Sequence, residues 1–186
     1  MSHASIAQNA DINIAKAINQ NETAFKNSYA KFCSKTTTSF SFASPLTILS
    51  VGLITKNKAL QKDAIYIAGS YVASTIVTQA AKHIIQRERP YQKYNFITQR
   101  TNADANTSMP SGHTSAAFCM ATSLSLRYKK WYIIVPAYLY AGSVAWARMY
   151  QGVHYPSDVF IGALIGAGSA WAGLKIQQLI NKKHRK

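Results

Sequence analysis

Hydrophobic and polar positions along this chain follow two different patterns. Over residues 11–35, Ile12, Ile14, Ala15 and Ile18, then Phe25, Tyr29 and Phe32, recur near the helical period with polar residues between them. This predicts an amphipathic lead of two short helices. The Ser and Thr run over 36–44 breaks that period, and Pro45 suits the first turn of a new helix. Five uncharged stretches then follow, 36–55, 64–81, 105–126, 131–147 and 159–174, each holding a helix-sized apolar segment. Lys56-Asn57-Lys58, a polar loop over 87–104, Arg127-Tyr128-Lys129-Lys130 and the segment 148–158 separate them.

No β-branched alternation with Asn-Gly or Asp-Gly turns occurs, so strands are not expected. The expected fold is all-α, a bundle of about five core helices behind the amphipathic lead, with an active site at one end. One domain is expected over 1–186, divided into a lead (1–44), a helical core (45–174) and a basic tail (175–186). If successive helices run up and down, segments 82–90, 110–113 and 148–158 reach the same end of the bundle.

A spanning helix wants about 20 apolar residues, whereas these segments are rich in Ser, Thr and Gln. The mean hydropathy is only −0.08. In the other direction, charged residues make up just 15%, Trp131 and Tyr132 stand at a helix edge, and Gly162 and Gly166 have the spacing that lets helices approach closely. Membrane-embedded and soluble chains both fit this pattern. Lys56, Lys58, Lys62, Arg127, Lys129, Lys130 and five basic residues from Lys175 onward, eleven of the 21, lie at the end opposite the motifs, which favours a motif end facing away from the cytoplasm.

The net charge of +15, against only six acidic residues, points to an anionic partner: nucleic acid, a phosphate-bearing molecule or an acidic lipid surface. Basic residues are scattered rather than striped, so no specific nucleic-acid partner is expected. Cys33 and Cys119 make no disulfide framework and no metal-ligand spacing, and can be paired or free. No basic segment and apolar run follow Met1, so the sequence as given shows no signal peptide.

The ionisable groups are sparse where the turns are. From Ala105 onward Asp158 is the only acid, and His113 and His154 are the only histidines before His184. Lys82 and Arg89 are seven apart, two turns on one helical face, with Pro90 stopping the helix behind Arg89. A lysine point charge and an arginine fork suit a tetrahedral oxyanion. Pro110-Ser111-Gly112-His113 precedes a helix whose first amides form an anion site; Ser111 can cap and donate, Gly112 allows close approach, and His113 faces the bound group. Pro156 suits a first helical position, with Asp158 in the first turn within reach of one nitrogen of His154. Arg148 adds a third cation. Two histidines and an aspartate also suit zinc, but three converging cations would repel it, so neither metal nor cofactor is expected and the set fits phosphoryl transfer.

At these residues the sequence resembles the type 2 phosphatidic acid phosphatase (PAP2) superfamily, which also takes in bacterial class A acid phosphatases and vanadium haloperoxidases. Lys82, six residues and Arg89-Pro90 match its first motif; Pro110-Ser111-Gly112-His113 the second; Arg148, five residues, His154, three residues and Asp158 the third. The likeness covers roughly 45–174. It departs at Ala147, where the family usually has Ser. The resemblance implies that His154 is the nucleophile forming a phosphohistidine, Asp158 orients it, and His113 is the general acid. Lys82, Arg89, Arg148, Ser111 and the Gly112 amide would hold the phosphate oxygens.

It further implies a metal-independent, vanadate-sensitive phosphatase acting on a phosphate monoester or diphosphate of a membrane lipid, placed in a bacterial inner membrane with its site facing the periplasm. The alternative is a soluble secreted acid phosphatase acting on small esters. Haloperoxidase relatives are typically much longer, and a non-catalytic basic module leaves His113, His154 and Asp158 unexplained. The leaving group would be read by the loop 91–106 and the lead. His83, Trp146 and Trp171 are expected to serve packing or interfacial contacts.

Overall fold

The residues that the sequence marks as a break lie in the middle of the longest helix. In this computed structural model, which describes residues 3–102 and 107–183, the helices are α1 (His3–Asn19), α2 (Ala24–Ile54), α3 (Lys58–Ile85), α4 (Pro90–Lys93), α5 (Gly112–Arg127), α6 (Trp131–Tyr150) and α7 (Pro156–Lys183). No strand occurs among the described residues. The all-α class and the bundle of long helices α2, α3, α5, α6 and α7 are as expected; residues 103–106 of the polar loop and 184–186 of the tail lie outside the described residues.

The expected interruption at 36–44 does not occur. α2 runs through it with Pro45 inside the helix, because the hydroxyls bond back to carbonyls one turn earlier. Thr36 donates to Phe32 O and Thr37 to Cys33 O, each at 2.7 Å, and Ser41 donates to Thr37 O at 2.8 Å. The Ser and Thr residues thus supply partners inside the helix instead of competing with it. The second half of the amphipathic lead is therefore the start of α2, capped by Thr23 Oγ1, which accepts from the Lys26 amide at 3.2 Å.

α3 also ends earlier than the Lys82–Arg89 spacing predicts. Gln86 caps it in the left-handed conformation, φ 45°, and Arg89 stands outside as the residue before Pro90 opens α4. Lys82 and Arg89 do not share a helical face, although they do share a space.

Short turns join α2 to α3 and α5 to α6 at one end, so the three motif segments lie together at the other. α5 is the central helix, in contact with α2, α3, α6 and α7. Its approach to α7 depends on glycine. A Cβ on Gly162 would lie 2.6 Å from Ser111 O, and one on Gly166 would overlap Ser115 O and lie 2.8 Å from the Cys119 amide. This contact brings the second and third motifs together.

Beside a small apolar core, the bundle buries many hydroxyls and exposes many large apolar side chains. Ser34, Thr37, Ser41, Ser70, Ser74, Thr78, Ser115 and Ser123 are buried, while Phe42, Leu46, Ile65, Ile76, Leu139, Phe160, Leu164 and Leu179 are exposed. α2 and α7 are each long and apolar enough to cross a membrane. Cys33 and Cys119 are free, buried thiols.

The α5–α7 contact makes a paired prediction. Gly166→Ala should destabilise the detergent-solubilised protein by about 1–3 kcal/mol through overpacking. Gly168→Ala, on the exposed side of α7 with nothing near its Cβ, should be neutral or stabilising by roughly 0.5 kcal/mol. Thermal unfolding measures both.

Candidate active site

The site lies where the ends of four helices meet. Lys82, in the last turn of α3, donates to Thr107 O at 2.8 Å, and Arg89 donates to Val153 O at 2.8 Å, which ties the first motif to the third. Arg148, in the last turn of α6, donates through one guanidinium nitrogen to Gln151 Oε1 (2.9 Å) and Ser34 Oγ (3.3 Å). Its buried Nε has no hydrogen-bond partner among the described residues. Lys82, Arg89, Gly112, His113, Arg148 and His154 line one cavity of about 970 Å³.

Two expected site residues stand behind its wall. Asp158 is fully buried; its Oδ2 accepts from the Tyr155 amide at 2.8 Å and lies 3.6 Å from His154 Nδ1, an ion-pair separation rather than a hydrogen bond. The i,i+4 reach read from the sequence therefore holds, with the contact longer than expected. Ser111 is fully buried and does not line the cavity. Although it is the N-cap of α5, its hydroxyl makes no cap bond and accepts from Thr114 Oγ1 at 2.9 Å, and its amide donates to Asp158 O at 3.0 Å. Ser111 joins the second motif to the third instead of facing the cavity. Nothing in the protein requires glycine at 112, where a Cβ would meet only the Thr78 methyl at 3.8 Å.

The electrostatics are one-sided. Burial lowers the His154 pKa to about 3, with Arg148 and Arg89 adding to the shift and Asp158 opposing it. His113 is lowered to about 3 as well, by burial first and then by Arg148, His154, Arg89 and Lys82. Both shifts favour the neutral imidazole, which keeps a nitrogen lone pair. Among the described residues, no three His, Cys, Asp or Glu side chains come together as a metal site. His83 is exposed rather than packed and does not line the cavity. Ala147 is fully buried in the core cluster of Ala30 and Cys33, so Ser34 and Gln151 hold Arg148.

Sequence reasoning missed Arg87 and Asp11. Arg87 donates to Asp158 Oδ1 (2.8 Å), Ser157 Oγ (2.6 Å) and Asp11 Oδ2 (2.7 Å), and its guanidinium lies 3.8 Å from the Tyr155 ring centre. Asp11, on α1, also accepts from the Ser157 amide at 2.9 Å and so caps the start of α7. The available signal was scarcity: in a chain with six acids, each buried acid needs a cationic partner, and Arg87 is the cation nearest the motifs without a motif role. α1, read as an appendage, is thereby tied to the third motif.

Comparison with known proteins places this arrangement. The family model described as the PAP2 superfamily matches residues 63–182. An undecaprenyl-diphosphatase of Sulfolobus acidocaldarius is 28% identical over 167 residues, covering 90% of this chain and 78% of that protein. A lipid A 1-phosphatase of Porphyromonas gingivalis is 36% identical over 91 residues, 47% of this chain and 20% of the relative. Among solved structures, Aquifex aeolicus LpxE superposes with a TM-score of 0.78 at 24% identity, covering 89% of this chain and 95% of the other. A PAP2-type phosphatidylglycerolphosphate phosphatase of Bacillus subtilis gives 0.80 at 22% identity, covering 96% and 89%. At these identities the two structures establish a shared fold.

The Asp11–Arg87 link should behave as one unit. In a double-mutant cycle of Asp11→Asn and Arg87→Gln, unfolding free energies should show a coupling of about 1 kcal/mol or more. Additive losses would show that the two side chains act separately.

Proposed function

This chain belongs to the PAP2 superfamily, and on that premise we propose that it is a membrane-bound, metal-independent phosphatase that releases phosphate from a lipid phosphate monoester or diphosphate through a phosphohistidine. One observation carries the reading: a single cavity brings three motif cations and two neutral histidines together, with a buried carboxylate behind one of the histidines. The names of the relatives support a lipid substrate, and the outward apolar faces of the bundle support a membrane setting. The same faces argue against the soluble alternative. A single domain accounts for the chain, and charge asymmetry favours a site facing the periplasm.

In this mechanism Lys82, Arg89 and Arg148, with the first amides of α5 at Gly112 and His113, bind the phosphoryl oxygens and stabilise the charge that spreads over them in the transition state. His154 attacks phosphorus through Nε2. Asp158, facing Nδ1, fixes the tautomer and stabilises the imidazolium character that develops. The bond from phosphorus to the leaving oxygen breaks, and His113 supplies the proton that oxygen needs. Water, giving a proton to His113, then hydrolyses the phosphohistidine and frees inorganic phosphate.

His113 must be protonated for the first step, yet burial and then the surrounding cations hold its proton affinity down. A phosphate dianion bound among the same cations reverses the sign of that field and raises its pKa. Substrate thus recruits its own general acid. His154 must be neutral to attack, and its lowered pKa keeps it so well into acid.

The test is phosphate release, with chelator present, from phosphatidic acid, phosphatidylglycerol phosphate, undecaprenyl diphosphate, lipid A and a soluble aryl phosphate. Turnover of at least one lipid is expected, inhibited by vanadate and reduced by about a thousandfold or more in His154→Ala. The pH profile should be bell-shaped, with the acid limb of kcat/KM well below the ordinary imidazole range, since protonating His154 removes the nucleophile. Chelator sensitivity, an active His154→Ala protein or a flat profile would each contradict the reading.

A further inference from the structure

The cavity holds more positive charge than one phosphate uses. Besides Lys82, Arg89 and Arg148, its wall includes Lys31, Lys35 and Arg100, and among the described residues no Asp or Glu lines it. We propose that Lys31, Lys35 and Arg100 form a second anion subsite beside the phosphate clamp, which takes a second phosphate group carried on the leaving-group side of the substrate. This rests on the phosphatase reading and narrows it to amphiphiles whose headgroup bears two phosphates.

Arg100 is a fixed cation. Its guanidinium lies 4.9 Å from the ring centre of the fully buried Tyr150, its amide donates to Gln151 O at 3.1 Å, and its buried Nε has no hydrogen-bond partner among the described residues. Glu22 reaches it only at 3.6 Å and is itself 56% exposed, so solvent screens that pairing. Lys31 and Lys35 stand one turn apart on α2, both exposed and neither in an ion pair among the described residues. Like charges at this spacing repel one another along a helix. A bound anion between them turns that repulsion into attraction.

Gln151 holds these three in register with the clamp. Its side chain accepts from Arg148 (2.9 Å) and Ser34 (2.9 Å) and donates to Ala30 O (3.2 Å), while its carbonyl holds the Arg100 amide. Ala30 and Ser34 are the residues immediately before Lys31 and Lys35. One buried glutamine therefore joins the arginine of the clamp to the turn of α2 that carries both lysines and to the loop that carries Arg100. The α2 helix and this loop contribute no cation to the clamp, which leaves theirs to recognise what is attached to the phosphate.

Two substrates share this chemistry. In a diphosphate, His154 attacks the terminal phosphorus, the bond to the bridging oxygen breaks, and its electron pair leaves on the lipid monophosphate, whose added charge the second subsite stabilises. In a phosphomonoester with a nearby phosphodiester, the subsite binds the diester without a change in its charge. Phosphate release is compared for a prenyl diphosphate against the same prenyl monophosphate, and for phosphatidylglycerol phosphate against phosphatidic acid. Wild type should favour the doubly charged member of at least one pair by about tenfold or more in kcat/KM. K31Q/K35Q and R100Q should each erase most of that preference while leaving kcat/KM for the singly charged member within about threefold.

Loss of preference confined to the prenyl pair assigns the diphosphate; loss confined to the glycerol pair assigns the phosphodiester. Absence of any preference in wild type, or equal losses on all four substrates, overturns the subsite. Calorimetry with inorganic pyrophosphate against inorganic phosphate needs no turnover. Pyrophosphate should bind wild type about tenfold more tightly, and K31Q/K35Q without that advantage. Equal affinities in wild type count against the subsite even if no lipid is turned over, whereas failure of turnover with the pyrophosphate preference intact counts against the phosphatase reading alone.

Discussion

Cations gathered in one cavity repel one another, and much of the structure around this site serves to hold them in place. Lys82 is fixed on Thr107 O, Arg89 on Val153 O, and Arg148 on Gln151 and Ser34. None of these anchors is an acid. Such neutral oxygens orient a cation without cancelling its charge. The Asp158 carboxylate is set behind His154 and shared with Arg87. The same economy explains how two histidines stay neutral there: burial and the cations around them both disfavour a further positive charge.

Holding charge inside a bundle also determines how the helices pack. Several buried Ser and Thr on α2, α3 and α5 bond to backbone carbonyls or to one another, as Ser74 does with Ser115 at 2.6 Å, and many large apolar side chains turn outward. Mean hydropathy averages over these two faces and hides the contrast, which is why −0.08 looked ambiguous. Gly162 and Gly166 serve the same end, since only a close α5–α7 contact lets the Ser111 amide reach Asp158 O.

The fold class, the order of helices and the meeting of three motifs at one end were legible because they depend on apolar periodicity and on alternating helix direction. Several details depend on long-range partners and were not. The Ser and Thr run looked like a break because hydroxyls favour turns in water, and nothing local says that they will back-bond within a long helix. The Lys82–Arg89 spacing suggested one helical face, whereas Arg87 is drawn out to Asp11 and Asp158 and α3 stops at Gln86. Ser111 looked like a cap facing the ligand because its amide partner lies 47 residues away on α7. Asp11 and Gln151 are unremarkable in sequence and gain their meaning only from what they touch.

The claim on which the mechanism depends is that phosphoryl transfer passes through His154. Rapid quenching of turnover on a labelled aryl phosphate, followed by peptide mapping under alkaline conditions, tests it directly. The account predicts a base-stable, acid-labile phosphoryl group on His154, formed before inorganic phosphate appears. Label on another residue, or full turnover with none of the label bound to protein at any time, would contradict it.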